Sequence, residues 1–210
     1  MPTDTAHTTT TEWIVSNKRK RNNYKDTSSH RNLKKKIITP HFESYEEYKK
    51  TVSIRDKHKA HLDKWIYDIL DGKKEQEKII YQNDYFLIIP TYVWTNSNND
   101  DLHLLTIPFN KKLRTIRSLN TNYLLLLDQM YKKTLEIIKD KYEIDISDLN
   151  IEFHYTPSTY HLHLHFINKK KEDISDIHYK HSYDNVINNI KNDENYYINN
   201  NLNINLVKFV

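Results

Sequence analysis

Apolar positions first fall into a helical period at Tyr45, Tyr48 and Val52, a thin stripe. They do so more strongly at Leu62, Trp65, Ile66, Ile69 and Leu70. Gly72 follows that second stripe, where a glycine can end a helix by taking the left-handed conformation. Two short apolar runs, at 78–81 and 85–89, flank Gln82-Asn83-Asp84 and predict an antiparallel hairpin. Residues 101–108, with Leu102, Leu104, Leu105 and Ile107, predict a further strand. Ser118 and Asn120 precede a long helix with the stripe Leu124, Leu127, Tyr131, Leu135, Ile138 and Tyr142. Residues 149–155 alternate through Ile151, Phe153 and Tyr155 as a strand does, and Pro157-Ser158 breaks it. Residues 160–167 alternate strictly and predict the clearest strand of the chain. Tyr183, Val186, Ile187 and Ile190 mark another helix. Residues 202–210, after an Asn-rich stretch, predict an edge strand. The expected class is α+β, an antiparallel sheet flanked by helices.

Residues 1–40 show no sustained period and include a threonine run at 8–11. They are expected to form a basic, disordered N-terminal segment that ends near Pro40, followed by one folded domain over 41–210. Charge follows the same division. Residues 1–40 hold nine basic residues against three acids, a net +6 within a whole-chain charge of +4, so the remainder is close to neutral. The basic run at 18–21 is a candidate RNA contact or nuclear address, against the plainer reading of a solvated tail. At 210 residues, 37% hydrophobic and 29% charged, with a mean hydropathy of −0.85, the chain can build a modest core. The absence of cysteine excludes a disulfide framework, a thiolate-bound zinc and a thiol nucleophile. No apolar run approaches the roughly 20 residues of a membrane span, and the first residues lack the apolar stretch of a signal peptide. The expected setting is intracellular and reducing, in cytoplasm or nucleus, with no membrane partner.

The stretch that carries chemistry is 154–166. On a strand, side chains alternate faces, which would put His161, His163 and His165 on one face about 6.5–7 Å apart. Leu162, Leu164 and Phe166 then face the core. His154, on the preceding strand, can approach the imidazole row across the sheet. Three readings are open at this point. The row can be a polar strand face. It can hold a metal, since neutral imidazole is a common zinc ligand, with a further ligand from elsewhere. Or one imidazole can attack phosphorus in line and form a covalent phosphoramidate while its neighbours fix its tautomer and donate to phosphate oxygens.

The run His161-Leu162-His163-Leu164-His165-Phe166-Ile167 resembles the signature of the histidine-triad nucleotide hydrolases. Within that superfamily, the block His154-Tyr155, Pro157-Ser158 and Tyr160-His161 is similar to the segment before the triad in scavenger mRNA decapping enzymes. Lys64-Trp65-Ile66-Tyr67-Asp68-Ile69-Leu70-Asp71 resembles the cap-binding helix of that branch. Ile88-Ile89-Pro90, Trp94 and Asp100-Asp101-Leu102 follow in the same order, and Arg114-Thr115-Ile116-Arg117-Ser118-Leu119 is similar to a further segment. The resemblance covers about residues 45–190.

The resemblance implies the histidine-triad fold, a homodimer, and hydrolysis of a 7-methylguanosine cap on a dinucleotide or short RNA fragment, with no metal and no cofactor. His163 would attack the phosphate next to the methylguanosine, and water would release 7-methyl-GMP. His161 and His165 would orient and polarise. His154 and Ser158 would contact phosphates. Trp65 would stack on the cationic base, Glu75 would accept from its edge, and Pro90 would border it. For Trp65 the competing reading is a core residue on the stripe of its own helix; for Glu75 it is a solvated turn. The departures are specific. After Pro90 the family has Asp-Leu-Lys-Trp where this chain has Thr91-Tyr92-Val93-Trp94, and Thr159 stands where an aromatic is expected. The arginine after the triad falls near Tyr179, beside Lys180. The large domain that closes over the cap is not expected among residues 1–40. Two other functions compete: a triad hydrolase of dinucleoside polyphosphates or nucleoside phosphoramidates, and a cap or nucleotide binder without turnover.

Overall fold

The computed structural model describes residues 36–92, 94, 98–171 and 178–209. The elements in chain order are β1 (Lys36–Glu43), α1 (Tyr45–His58), α2 (Lys64–Leu70), β2 (Tyr81–Gln82), β3 (Phe86–Pro90), β4 (His103–Pro108) and α3 (Leu124–Tyr142). There follow β5 (Leu149–Tyr155), β6 (Leu164–Asn168), β7 (Tyr179–Ser182), α4 (Tyr183–Asn192), α5 (Tyr196–Asn199) and β8 (Leu202–Phe209). Six strands form an antiparallel sheet in the order β2-β3-β4-β6-β5-β7, and β1 pairs with β8 in a separate two-stranded sheet. The class is α+β, as the pattern of apolar residues predicts. Among the described residues no helix is long and apolar enough to cross a membrane.

The central strands are apolar on both faces because both are covered. Leu104, Leu164, Phe166 and Phe153 point into the larger core, with Leu127, Met130 and Ile138 of α3 and Val186 and Ile190 of α4. Leu87, Ile89, Leu105 and Ile107 point the other way, onto Ile66 and Ile69 of α2. Each such side chain contributes about 1.5–3 kcal/mol when fully buried. Helix α2 therefore lies on the sheet face opposite α3, and that is the face on which the histidines gather. Gly72 ends α2 with φ 71°, the left-handed conformation its sequence position implied.

Two expectations are corrected here. Residues 36–40 lie in β1, which runs through Pro40, instead of belonging to an irregular leader. And the strand expected over 160–167 begins only at Leu164. Residues 160–163 leave the ladder because their backbone groups find other partners, described below. The basic run at 18–21 lies outside the described residues, as does Val93.

Candidate active site

The site is built where β6 is flanked by β4 and β5. In that register His165 sits opposite Leu105 on one side and Glu152 on the other. Strand β5 turns Ile151, Phe153 and Tyr155 to the core and Glu152 and His154 to the opposite face. The His154 ring stacks on His165 at 3.9 Å between centroids, and His163 and His103 lie 4.8 and 5.2 Å from the same ring. His178 stacks on the far side of His154 at 5.7 Å. Five imidazoles thus form one cluster.

The loop before β6 is held by buried ions. Arg55 of α1 donates from Nε and an Nη to the carboxylate of Asp63, at 2.9 and 2.6 Å, and also to the Ser158 carbonyl at 2.6 Å. Asp63 accepts from the Tyr160 amide at 2.9 Å. Arg114 donates to the Tyr160 carbonyl at 2.6 Å and pairs with Asp56. The Leu162 amide donates to the Leu113 carbonyl. Burial alone raises the Asp63 pKa, but the bonds from Arg55 and Tyr160 outweigh it and hold the carboxyl below its ordinary value. These contacts engage backbone groups of Ser158, Tyr160 and Leu162 in place of a strand ladder.

Proton positions follow from the acceptors. A carbonyl only accepts, so the ring nitrogen facing it carries hydrogen. His161 Nε2 donates to the Pro108 carbonyl at 2.6 Å, and its buried ring meets Tyr67 edge-on. His163 Nδ1 donates to the His161 carbonyl at 2.7 Å, which leaves Nε2 with the lone pair. His154 Nε2 donates to Glu152 at 3.1 Å. Burial lowers the His163 pKa to about 4 despite the bond to the His161 carbonyl. Burial, and then the neighbouring imidazoles, push His165 well below its ordinary value. At neutral pH both rings are uncharged. His163 therefore carries an oriented, neutral, nucleophilic nitrogen at a narrow cleft lined by Arg114, His154, Pro157 and His161. The described residues include no group of three or more His, Asp or Glu arranged around one metal position.

The structure brings His154, His163 and His165 together, with His161 behind His163, and departs from the even row that a full strand would give. Trp65 is not core: it is 42% exposed, and its indole N–H donates to Thr159 Oγ1 at 3.0 Å, tying it to the histidine loop. Ser158 is exposed and gives its carbonyl to Arg55. Pro90 ends β3 opposite Leu104. Glu75, with φ 55°, pairs with Lys78 at 3.2 Å. Sequence reasoning missed His103, His178, Glu152, Arg55 and Asp63. The alternation of Glu152 with His154 on one strand was the one available signal.

Residues 64–181 match the family model described as scavenger mRNA decapping enzyme C-term binding. The chain belongs to this family. The family's matched segment holds all four histidines of the motif and begins at α2, so β1, α1 and Arg55 lie outside it. The chain is 35% identical over 175 residues to an m7GpppX diphosphatase of Ascaris suum, covering 80% of this chain and 57% of that protein. It is 34% identical over 136 residues to the m7GpppX diphosphatase of Sus scrofa, covering 63% and 36%. The chain thus spans between about a third and three fifths of the length of these relatives. Among solved structures, a histidine triad protein from Clostridium difficile aligns over 52% of this chain and 92% of its own, with 17% identity and a TM-score of 0.41.

Proposed function

We propose that the chain hydrolyses the 7-methylguanosine cap of a cap dinucleotide or short capped RNA fragment through a nucleotidyl–His163 intermediate. The observation that carries this is the proton arrangement at His163: Nδ1–H is fixed on the His161 carbonyl, which leaves Nε2 with its lone pair on a neutral ring that lines the cleft. Family membership and the name shared by the relatives support the substrate. Nε2 attacks the phosphorus next to the methylguanosine, and the bond to the bridging oxygen breaks. The diphosphate-ended product leaves as its anion, so its departure takes no proton from the site. The His161 carbonyl stabilises the positive charge that develops on the ring. Water then attacks the phosphoramidate, 7-methyl-GMP departs, and Nε2 regains its lone pair. His154, Ser158 and Arg114 face the phosphates. Trp65 stacks on the base, Pro90 borders it and Glu75 meets its edge.

Selectivity for the methylated base tests the role of Trp65. Only the methylated guanine is cationic, so Trp65→Ala is expected to weaken methylated-cap binding by about 1–2 kcal/mol more than unmethylated binding. Calorimetric titration with the two dinucleotides measures this, and equal losses would remove Trp65 from the base site.

The imidazoles also set a pH dependence. In the unfolded chain His161, His163 and His165 take up protons near 6.5, whereas the fold keeps them neutral to lower pH. The unfolded state then binds more protons, so stability is highest above 6.5 and falls as pH drops toward about 4. Urea midpoints across that window read the slope; a rise on acidification would contradict it. Turnover is expected to persist below pH 6.5 and to fail near 4, where Nε2 of His163 is protonated.

We also propose that the basic run at 18–21 contacts RNA, and that the chain pairs with a second copy, as the resemblance implies. Removing residues 1–35 should leave dinucleotide turnover intact and flatten the salt dependence of binding to a longer capped RNA. An unchanged salt slope would end the RNA role.

A further inference from the structure

His103 lies on β4, opposite Ile167 of β6, and reaches diagonally toward the residue opposite Leu105, which is His165. Its Nε2 stands 2.8 Å from His165 Nδ1. His165 is 7% exposed, and its other nitrogen, Nε2, is buried without a hydrogen-bond partner in the protein. The stacked ring of His154 covers one face of His165 and offers no in-plane bond.

One hydrogen lies between His103 and His165, and it has two arrangements. If His165 Nδ1 donates to His103, His165 Nε2 is a bare lone pair in the site. If His103 Nε2 donates to His165 Nδ1, the single hydrogen of neutral His165 sits on Nε2. A phosphate oxygen is an acceptor only, so the first arrangement sets two lone pairs against each other in a buried space. The second offers a donor already aimed and desolvated. The lowered pKa of His165 makes the choice consequential, because a neutral ring has one hydrogen and cannot donate from both nitrogens.

We propose that His103 is a positioning residue, whose Nε2–H donates to His165 Nδ1 and thereby fixes the proton of His165 on Nε2 as the donor to a substrate phosphate oxygen. The proposal rests on the phosphoryl-transfer reading above. It assigns a role to a β4 residue that the histidine motif does not include, and it makes the β4–β6 register part of the catalytic geometry. On the other flank of His165, His154 Nε2 donates to the Glu152 carboxylate, which fixes the proton of that ring as well.

The test uses the full chain with 15N-labelled histidine. Long-range proton–nitrogen spectra report which ring nitrogen of each neutral imidazole is protonated, with His165→Gln providing the assignment. The expected wild-type result is His165 protonated at Nε2 and His103 protonated at Nε2. In His103→Leu the His165 signal should move toward the other tautomer or a mixture. The kcat for the methylated cap dinucleotide should fall by about 10²-fold with little change in KM. His103→Gln, whose amide can still donate, should restore most of both. Wild-type His165 protonated at Nδ1, or a His165 tautomer that is the same in His103→Leu as in wild type, would overturn the proposal. The wild-type spectrum decides the tautomer even if a variant does not fold. A wild-type chain that shows the expected tautomer but hydrolyses no cap would count against the functional reading, not against the His103–His165 arrangement.

Discussion

His163→Ala is expected to abolish hydrolysis of the methylated cap dinucleotide, with a loss on the order of 10⁴-fold in kcat, while cap binding is largely kept. The size follows from the route. A covalent path has no substitute when its nucleophile is gone, because the neighbouring rings are committed elsewhere: His161 Nε2 to the Pro108 carbonyl, His154 Nε2 to Glu152. Binding survives because Trp65 and Arg114 are untouched and lie on other elements, α2 and the loop before α3. His163→Asn fills similar space and should lose as much activity while melting close to wild type. That pairing separates lost chemistry from lost packing. Activity retained in either variant would end the nucleophile assignment.

The largest stability effect is expected at Arg117. Its side chain is fully buried, and it donates to the Tyr155 hydroxyl at 2.8 Å and to the carbonyls of Tyr197 and Asn200 at 2.8 and 3.0 Å. It also donates to the Glu43 carbonyl, and the Glu43 carboxylate, itself buried, stands 3.4 Å from Arg117 Nε and accepts from Tyr155. One guanidinium thus joins β1, β5 and α5, and β1 carries β8 with it. Arg117→Met would leave the buried Glu43 carboxylate without its counter-charge and three carbonyls without the guanidinium that donates to them. Breaking a buried pair in this way costs about 3–5 kcal/mol. Against a total of about 5–15 kcal/mol for a domain, that brings the fold near its limit. Urea unfolding measures it, and a loss under about 1 kcal/mol would mean that the network adds nothing net. Arg117→Lys should fall between, since an ammonium keeps the charge but cannot fork to four acceptors.

The parts of the fold legible in the sequence are those whose signal is local. The stripe through Leu127 and Ile138, the alternation through Phe153, and Gly72 after Leu70 each state an element in their own residues, and α3, β5 and the end of α2 follow. Strand β1 was not legible. Ile37-Ile38-Thr39-Pro40 does not alternate, three lysines precede it, and its partner β8 lies at the other end of the chain. The start of β6 was hidden for a different reason. Tyr160 and Leu162 are buried in the loop just as strand residues would be, so the alternation runs on past the point where the ladder ends. What pulls the backbone out of the ladder is Arg55, Asp63 and Arg114, distant residues with no mark in the histidine motif.

The candidate site divides the same way. Spacing alone placed His163 and His165 next to each other, and the preceding strand placed His154 within reach. The proton positions were not legible, because they depend on which acceptor each ring meets, the Pro108 and His161 carbonyls above all. His103 was invisible, since only the register of β4 against β6 brings it to His165. For Trp65, helical spacing pointed to a core residue as readily as to a base platform. Its exposure and its bond to Thr159 favour the platform.

The most direct measurement is the mass spectrum of the products formed from a 7-methylguanosine-capped dinucleotide in 18O-labelled water. The account predicts one 18O atom in 7-methyl-GMP and none in the nucleoside diphosphate, because water enters only at the phosphorus that His163 has attacked. Label in the nucleoside diphosphate, or intact dinucleotide after prolonged incubation with the folded chain, would contradict it.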